Sequence, residues 1–333
     1  MRALIKSGLN KIDTRLEEVP KPVLQDGQVL LKVEACGLCG SDIHAWRSDK
    51  GYEWVKTPVT LGHEFVGSVV ETTQSVTGWQ VGDRAVVVSI QGCLNCQECS
   101  NGFTQRCLTR TVIGLSYNGA MADYVAVSSN FLVPIPADIP AVIAAAVEPL
   151  SVAVHATITT ANVTAGQKVV VSGAGFVGIT CALLAKNAGA DVLLLGAPQD
   201  SALRLPAASK LGIETRTTNE GGWGNPDVWI EASGAPSALA SAITDTNSGG
   251  LVSVVGLYAA APQADLNQLV RREIRLKGSY ASVASEYELA ISFIKKGLLP
   301  IENLLESFTL DEATEAFNAA ESSTTIKPII VPN

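Results

Sequence analysis

The stretch KVVVSGAGFVG, Lys168 to Gly178, constrains this chain most, because it specifies a strand, a tight turn and a helix start in immediate succession. The run KVVVS has the continuous apolar character of a strand buried on both faces of a sheet. Gly173, Gly175 and Gly178 then form GxGxxG, and the apolar helical run GITCALLA follows. Three glycines alone are ordinary turn punctuation, but directly between a buried strand and a helix they carry a physical role. Gly173 permits the tight turn, Gly175 lets the backbone approach a pyrophosphate, and Gly178 lets helix and strand pack closely. Phe176 and Val177 open the helix, whose N-terminus supplies positive potential. The expectation is a dinucleotide site.

The patterns flanking this stretch divide the chain. Up to about residue 147 come short Val-rich runs broken by turn residues: GQVLLKVEACG, EFVGSVVET, DRAVVVSI and ADYVAVSS. Such spacing predicts a distorted barrel or sandwich of strands. From Glu148 the pattern changes to an Ala-rich helix and then to alternating strand and helix signals, through VLLLG, VWIEASG and LVSVVGLY. That alternation predicts an α/β unit with a parallel, doubly wound sheet, over 148–278. After Gly278 come two helical stretches, SEYELAISFIKKG and LDEATEAFNAAES, and a last strand, IKPIIVP, which could close either part. A length of 333 residues suits two domains better than one.

Composition narrows the classes. Apolar residues make up 47% and charged residues 17%, enough for packed cores. A net charge of −8 argues against a nucleic-acid partner, since phosphate neutralisation needs a basic surplus. The opening MRALIKSGLN is far short of a signal-peptide apolar region and no later run approaches a membrane span, so a cytoplasmic location without a membrane partner is expected. Disulfides are disfavoured there, and seven cysteines cannot all pair.

Four of the seven fall in GCLNCQECSNGFTQRC, residues 92–107. Cys93, Cys96, Cys99 and Cys107 have the spacing C-x2-C-x2-C-x7-C, which lets a tight loop turn three sulfurs toward one point while the fourth folds back. Four thiolates make a closed tetrahedral zinc site, and closed means structural. An iron–sulfur cluster, a redox CxxC pair or unrelated buried cysteines are the alternatives. A second constellation lies upstream: Cys39 in CGLCGSDIH, and His63 with Glu64 in TLGHEFVG. A thiolate, an imidazole and a carboxylate suit an open zinc site. Cys181, inside GITCALLA, reads as a core cysteine. The best remaining donor is Glu148, followed by Pro149 where the two patterns meet.

CGLCGSDIH, GHE, the four-cysteine lobe, EPLSVAVHA, GAGFVG and the closing IKPIIVP together resemble the zinc-dependent medium-chain alcohol and polyol dehydrogenases over essentially the whole chain. Within that family the chain is most similar to the sorbitol (L-iditol) dehydrogenase group, because Glu148 stands where liver-type alcohol dehydrogenases carry a cysteine. His44 and Trp46 fit the same group. The resemblance implies a GroES-like catalytic domain, residues 1–147 and 279–333, with a Rossmann domain inserted. It implies catalytic and structural zinc, and NAD or NADP as cofactor. It also implies a small alcohol or polyol substrate and a homodimer or homotetramer. By the same resemblance Ser41 and His44 relay the released proton, and Asp42 orients His63. Ser41 could instead cap the helix starting at SDIH. His155 is assigned no chemistry.

One thiolate with up to two carboxylates is a hydrophilic, acidic donor set, which favours a polyol over a greasy alcohol. Arg47 leaves room for a sugar acid, and a threonine or 2,3-butanediol dehydrogenase is the nearest alternative. A nucleotide-sensing protein of the same fold would be expected to lose part of the set Cys39, Ser41, His63, Glu64 and Glu148, all of which are present. In DVLLLGAPQDSALRL the strand end that usually carries a ribose-binding carboxylate carries Gly196 instead. Asp200 and Arg204 follow in a lengthened loop, so relaxed use of NAD and NADP is expected.

Overall fold

The computed structural model describes residues 1–332. The chain divides into two compact units. The first comprises Met1–Glu148, Ser282–Ile291 and the residues from Leu305 on; the second comprises Pro149–Ala281 and Ser292–Leu304.

The first unit is built on the long strand Gln28–Gly37, which is buried over most of its length with only Lys32 exposed, as befits a central strand covered on both faces. It pairs antiparallel with Glu64–Thr72 on one side, and its two ends pair with Tyr124–Ser128 and Lys327–Val331 on the other. Register shifts at Leu30/Leu31 and Val33/Ala35 bend the strand, as bulges do in a closed or strongly coiled sheet. The last strand therefore joins the first unit, with Ile329 opposite Gly37 and Ile330 opposite Cys36. That register brings Lys327 beside the segment that carries Cys39.

The second unit carries six parallel strands, in the spatial order Glu214–Thr217, Asp191–Gly196, Lys168–Ser172, Val228–Glu231, Leu251–Val254, Arg275–Gly278. Numbered along this unit the order is 3-2-1-4-5-6, the Rossmann arrangement, which opens a ligand crevice where the winding reverses beside the first strand. Val169 and Val171 are buried on one side, and Val170 packs on the other with Leu193, Leu195, Trp229, Val252 and Ile274. Trp229 is almost fully buried and satisfies its indole N–H on Ser172 Oγ at 2.9 Å. Among the described residues no helix is long and apolar enough to cross a membrane.

Candidate functional site

Helix Gly40–Arg47 starts at Cys39, whose backbone N–H donates to the Asp42 carboxylate at 3.0 Å. Asp42, not Ser41, therefore caps this helix, and the Ser41 hydroxyl lies 3.3 Å from His63 Nε2. The other Asp42 oxygen is 3.5 Å from His63 Nδ1, and neither atom has another hydrogen-bond partner among the described residues. The fully buried Asp42 thus faces the histidine as an orienting carboxylate would. His63 and Glu64 lie at the start of strand Glu64–Thr72, where its pairing with Gln28–Gly37 sets Glu64 opposite Gly37, two residues before Cys39. One donor atom each from Cys39, His63 and Glu64 fall within 4.8 Å of one another.

The electrostatics of this cluster favour a cation. Burial works against protonation of His63, yet the negative charges of Asp42 and Cys39 outweigh it and push the imidazole well above its ordinary value. Glu148 is buried with its Oε1 accepting from Ser89 Oγ at 2.5 Å. Desolvation and then repulsion by Glu64 raise its carboxyl from 4.5 to about 7. Glu148 is not one of the three donors gathered within 4.8 Å; it faces them as a neighbouring charge. Among the described residues the balancing cation is Lys327, fully buried, which pairs with Glu64 and donates to the Leu38 carbonyl at 3.0 Å. Burial opposes its charge, but Glu64 and Cys39 raise the ammonium above its usual value. Lys327 escaped sequence reasoning; its only signal was a lone lysine in the apolar run IKPIIVP. A soft thiolate, an imidazole and a carboxylate converging in one negative pocket fit zinc.

The cysteine lobe is a separate centre. Strands Ile90–Gln91 and Thr111–Val112 pair at its base, and short helical turns Gln97–Ser100 and Thr104–Arg106 fold the loop back. The sulfurs of Cys93, Cys96, Cys99 and Cys107 lie within 4.8 Å of one another and none forms a disulfide. Tetrahedral zinc at ~2.3 Å from each sulfur requires sulfurs ~3.8 Å apart, so the set fits the ion. The Thr109 hydroxyl and the Cys93 N–H hold the Cys107 thiol down at about 6, favouring the ligating thiolate. Gly92 is required here, because a Cβ would sit 2.5 Å from Cys99 Sγ.

In the second unit the glycine motif has the geometry its sequence implies. Gly173 has a φ of 103°, and a Cβ there would press to 2.7 Å on the Ser233 backbone nitrogen. A Cβ on Gly178 would collide with the Gly173 carbonyl. Around Gly175, by contrast, nothing lies within 4 Å of where a Cβ would be, and Gly175 caps helix Phe176–Asn187. Open space at a helix N-terminus is the cradle a pyrophosphate needs. Phe176 is buried, while Val177 is only partly so. A cavity of about 620 Å³ runs from Gly173 and Gly175 past Asp200 and Arg204 to Trp223. Strand Asp191–Gly196 ends at Gly196, where a Cβ would press on Leu205 and Asp200. Asp200 is engaged locally, accepting from the Ala197 N–H at 2.8 Å and from Arg204 at 3.2 Å. His155, buried in the π-helical stretch His155–Thr160, belongs to this unit.

Comparison with known proteins agrees with this geometry. Residues 25–137 match the alcohol dehydrogenase GroES-like domain, and residues 177–296 match the zinc-binding dehydrogenase domain. Sorbitol dehydrogenase of Bombyx mori is 31% identical, over 98% of this chain and 97% of the relative. L-threonine 3-dehydrogenase of Rhizobium rhizogenes is 31% identical over 99% and 98%. A chain from Sinorhizobium meliloti 1021 solved bound to NADP superposes with a TM-score of 0.90 at 26% identity, over 99% of each chain. The GroES-like first unit, the Rossmann second unit and whole-length relatives at this identity show that the chain belongs to the zinc-dependent medium-chain alcohol and polyol dehydrogenases, NAD(P)-linked oxidoreductases acting on CH–OH.

Proposed function

We propose that the chain oxidises a polyol or a related hydroxylated secondary alcohol to the ketone, and that Cys39, His63 and Glu64 hold the catalytic zinc with Glu148 acting directly or through water. The observation that carries this reading is the charge of the site: a donor set of one thiolate, one imidazole and one carboxylate, with the buried Glu148 carboxyl as its neighbour, where a greasy alcohol would favour softer, less charged surroundings. When bound, zinc would supply a Lewis acid that lowers the pKa of the substrate hydroxyl, and the nicotinamide would supply the hydride acceptor. The chain does the rest. Asp42 fixes the His63 ring, Ser41 receives the hydroxyl proton, and His44 passes it to solvent. Lys327 pairs with Glu64, so the two buried carboxylates do not stand side by side without a countercharge. In the lobe, Cys93, Cys96, Cys99 and Cys107 hold a structural zinc.

Gly173, Gly175 and Gly178 accept the dinucleotide at the N-terminus of helix Phe176–Asn187, with Phe176 and Val177 as its first residues. Gly196, Asp200 and Arg204 border the ribose. The Asp200 carboxylate at the strand end is held by the Ala197 N–H and partly neutralised by Arg204, which supports use of both NAD and NADP. Arg275–Gly278 is an exposed edge strand, with Leu257, Leu266, Val270 and Leu276 exposed in the same part of the chain, and this supports a homodimer or homotetramer; the location we propose is the cytoplasm. A threonine dehydrogenase is the second reading, favoured by whole-length similarity to such enzymes.

A panel of sugar alcohols, vicinal diols, sugar acids, L-threonine and simple alcohols, followed by reduced-nicotinamide absorbance with each cofactor, tests the reading. Highest kcat/KM on a sugar alcohol or diol is expected. Best turnover on L-threonine would move the assignment to the second reading, and best turnover on a simple apolar alcohol would refute the argument from the donor set.

A further inference from the structure

The helix that starts at Cys39 ends in an arrangement that metal ligation does not require. Ser48 caps it in the left-handed region, with a φ of 55°, and the reversal lets the Asp49 N–H donate to the His44 carbonyl at 3.0 Å. The Asp49 side chain thereby returns onto the His44 ring, with Oδ2 at 2.7 Å from Nδ1. Arg47 places Nε at 3.0 Å and a terminal nitrogen at 2.6 Å on the same oxygen, so the carboxylate is held from two sides. Tyr52 stacks on the imidazole with centroids 5.0 Å apart and planes 23° apart, and Trp54 stacks on Tyr52 at 6.2 Å. Burial works against ionisation of Asp49, but the hydrogen bonds from His44 and Arg47 outweigh it and keep the carboxyl below its usual value. Beyond this pair, Arg47 reaches Glu321 at 3.5 Å, and Lys11 holds Glu321 at 2.6 Å.

We propose that Asp49 is a positioning residue for the proton relay: it accepts Nδ1–H of His44 and so commits Nε2 to be the nitrogen that takes the substrate's proton. The inference rests on the reading of His44 as the relay. Because an ionised carboxylate only accepts, the 2.7 Å contact makes Nδ1 the donor, a shorter contact than the 3.4 Å from Arg47 to the same nitrogen, and the stacked Tyr52 keeps the ring plane from turning. In the oxidation the C–H bond gives its hydride to NAD(P)+ and the O–H bond gives its proton, through Ser41, to Nε2. The imidazolium, stabilised by Asp49, releases that proton to water, which leaves ketone, NAD(P)H and one proton. An orienting carboxylate of this kind acts through the histidine and never touches substrate.

Nitrogen-15 NMR of the three histidine rings of the intact protein reads the tautomer directly. The His44 ring is expected as Nδ1–H in the wild type. In Asp49→Asn that preference is expected to be lost, because the amide can donate to Nδ1. In kinetics Asp49→Asn should lower kcat about 10- to 100-fold and raise the solvent isotope effect, with KM for alcohol and cofactor nearly unchanged. In a His44→Asn background the same change should have no further effect. Asp49→Ser takes the place of the Asn variant if that one does not fold. An Nε2–H ring in the wild type, an unchanged kcat in Asp49→Asn, or an equal loss in the His44→Asn background would each overturn the proposal. If His44→Asn alone leaves kcat and the isotope effect intact, it is the relay reading that fails, separately from the tautomer.

Discussion

Replacing Glu148 by glutamine probes the buried charge beside the candidate metal cluster. Its carboxyl moves from 4.5 to about 7 on folding, and about 2.5 pH units at 1.36 kcal/mol each amounts to roughly 3 kcal/mol. The sign follows from the direction of the shift. A raised pKa means that the folded state holds the proton more tightly, so the stabilising contribution is fully present below about 4.5 and is lost as pH rises through about 7. Glutamine is neutral throughout and can still accept from the Ser89 hydroxyl. After zinc is stripped with chelator, urea unfolding between pH 4.5 and 8 should therefore show wild-type stability falling relative to Glu148→Gln, by about 3 kcal/mol across the window. Reloading zinc should shrink the difference, because the cation compensates the carboxylate. The variant should also lose metal affinity and kcat. Identical pH slopes for the two stripped proteins would refute the electrostatic argument. Intact kcat and metal content in Glu148→Gln would return the residue to a structural role at the start of helix Val147–Val154.

The two candidate zinc sites should separate by function. Cys39→Ser should abolish turnover with thermal unfolding nearly unchanged, whereas Cys96→Ser should lower stability or assembly, since metal binding in a closed site is part of folding free energy; metal analysis with thermal scans checks both. Steady-state kcat/KM should differ between NAD and NADP by less than about a thousandfold, or roughly 4 kcal/mol. A larger preference for NAD would mean that Asp200 leaves Ala197 and Arg204 to hold the ribose.

The sequence determined those features that lie within a few residues of one another. The strand–glycine–helix stretch at Lys168–Gly178 is legible because a turn, a close backbone approach and a helix start are local events, and each glycine there meets the steric demand expected of it. The cysteine lobe is legible for the same reason: its base hairpin and helical turns are short-range, so spacing nearly dictates convergence. The alternating strands of the second unit likewise announced a parallel sheet. The environment of the candidate metal cluster was not legible. Lys327 meets Glu64 across 263 residues, through the register of the last strand against Gln28–Gly37, and no local pattern encodes that register. Ser89 reaches Glu148 across 59 residues, and Asp49 turns back onto His44 only because Ser48 adopts a left-handed cap. Residue types and spacing set which atoms could bind a metal or move a proton. The charge that surrounds those atoms, and hence their protonation, was set by tertiary pairing, because desolvation and Coulomb interactions depend on distance in space and not along the chain.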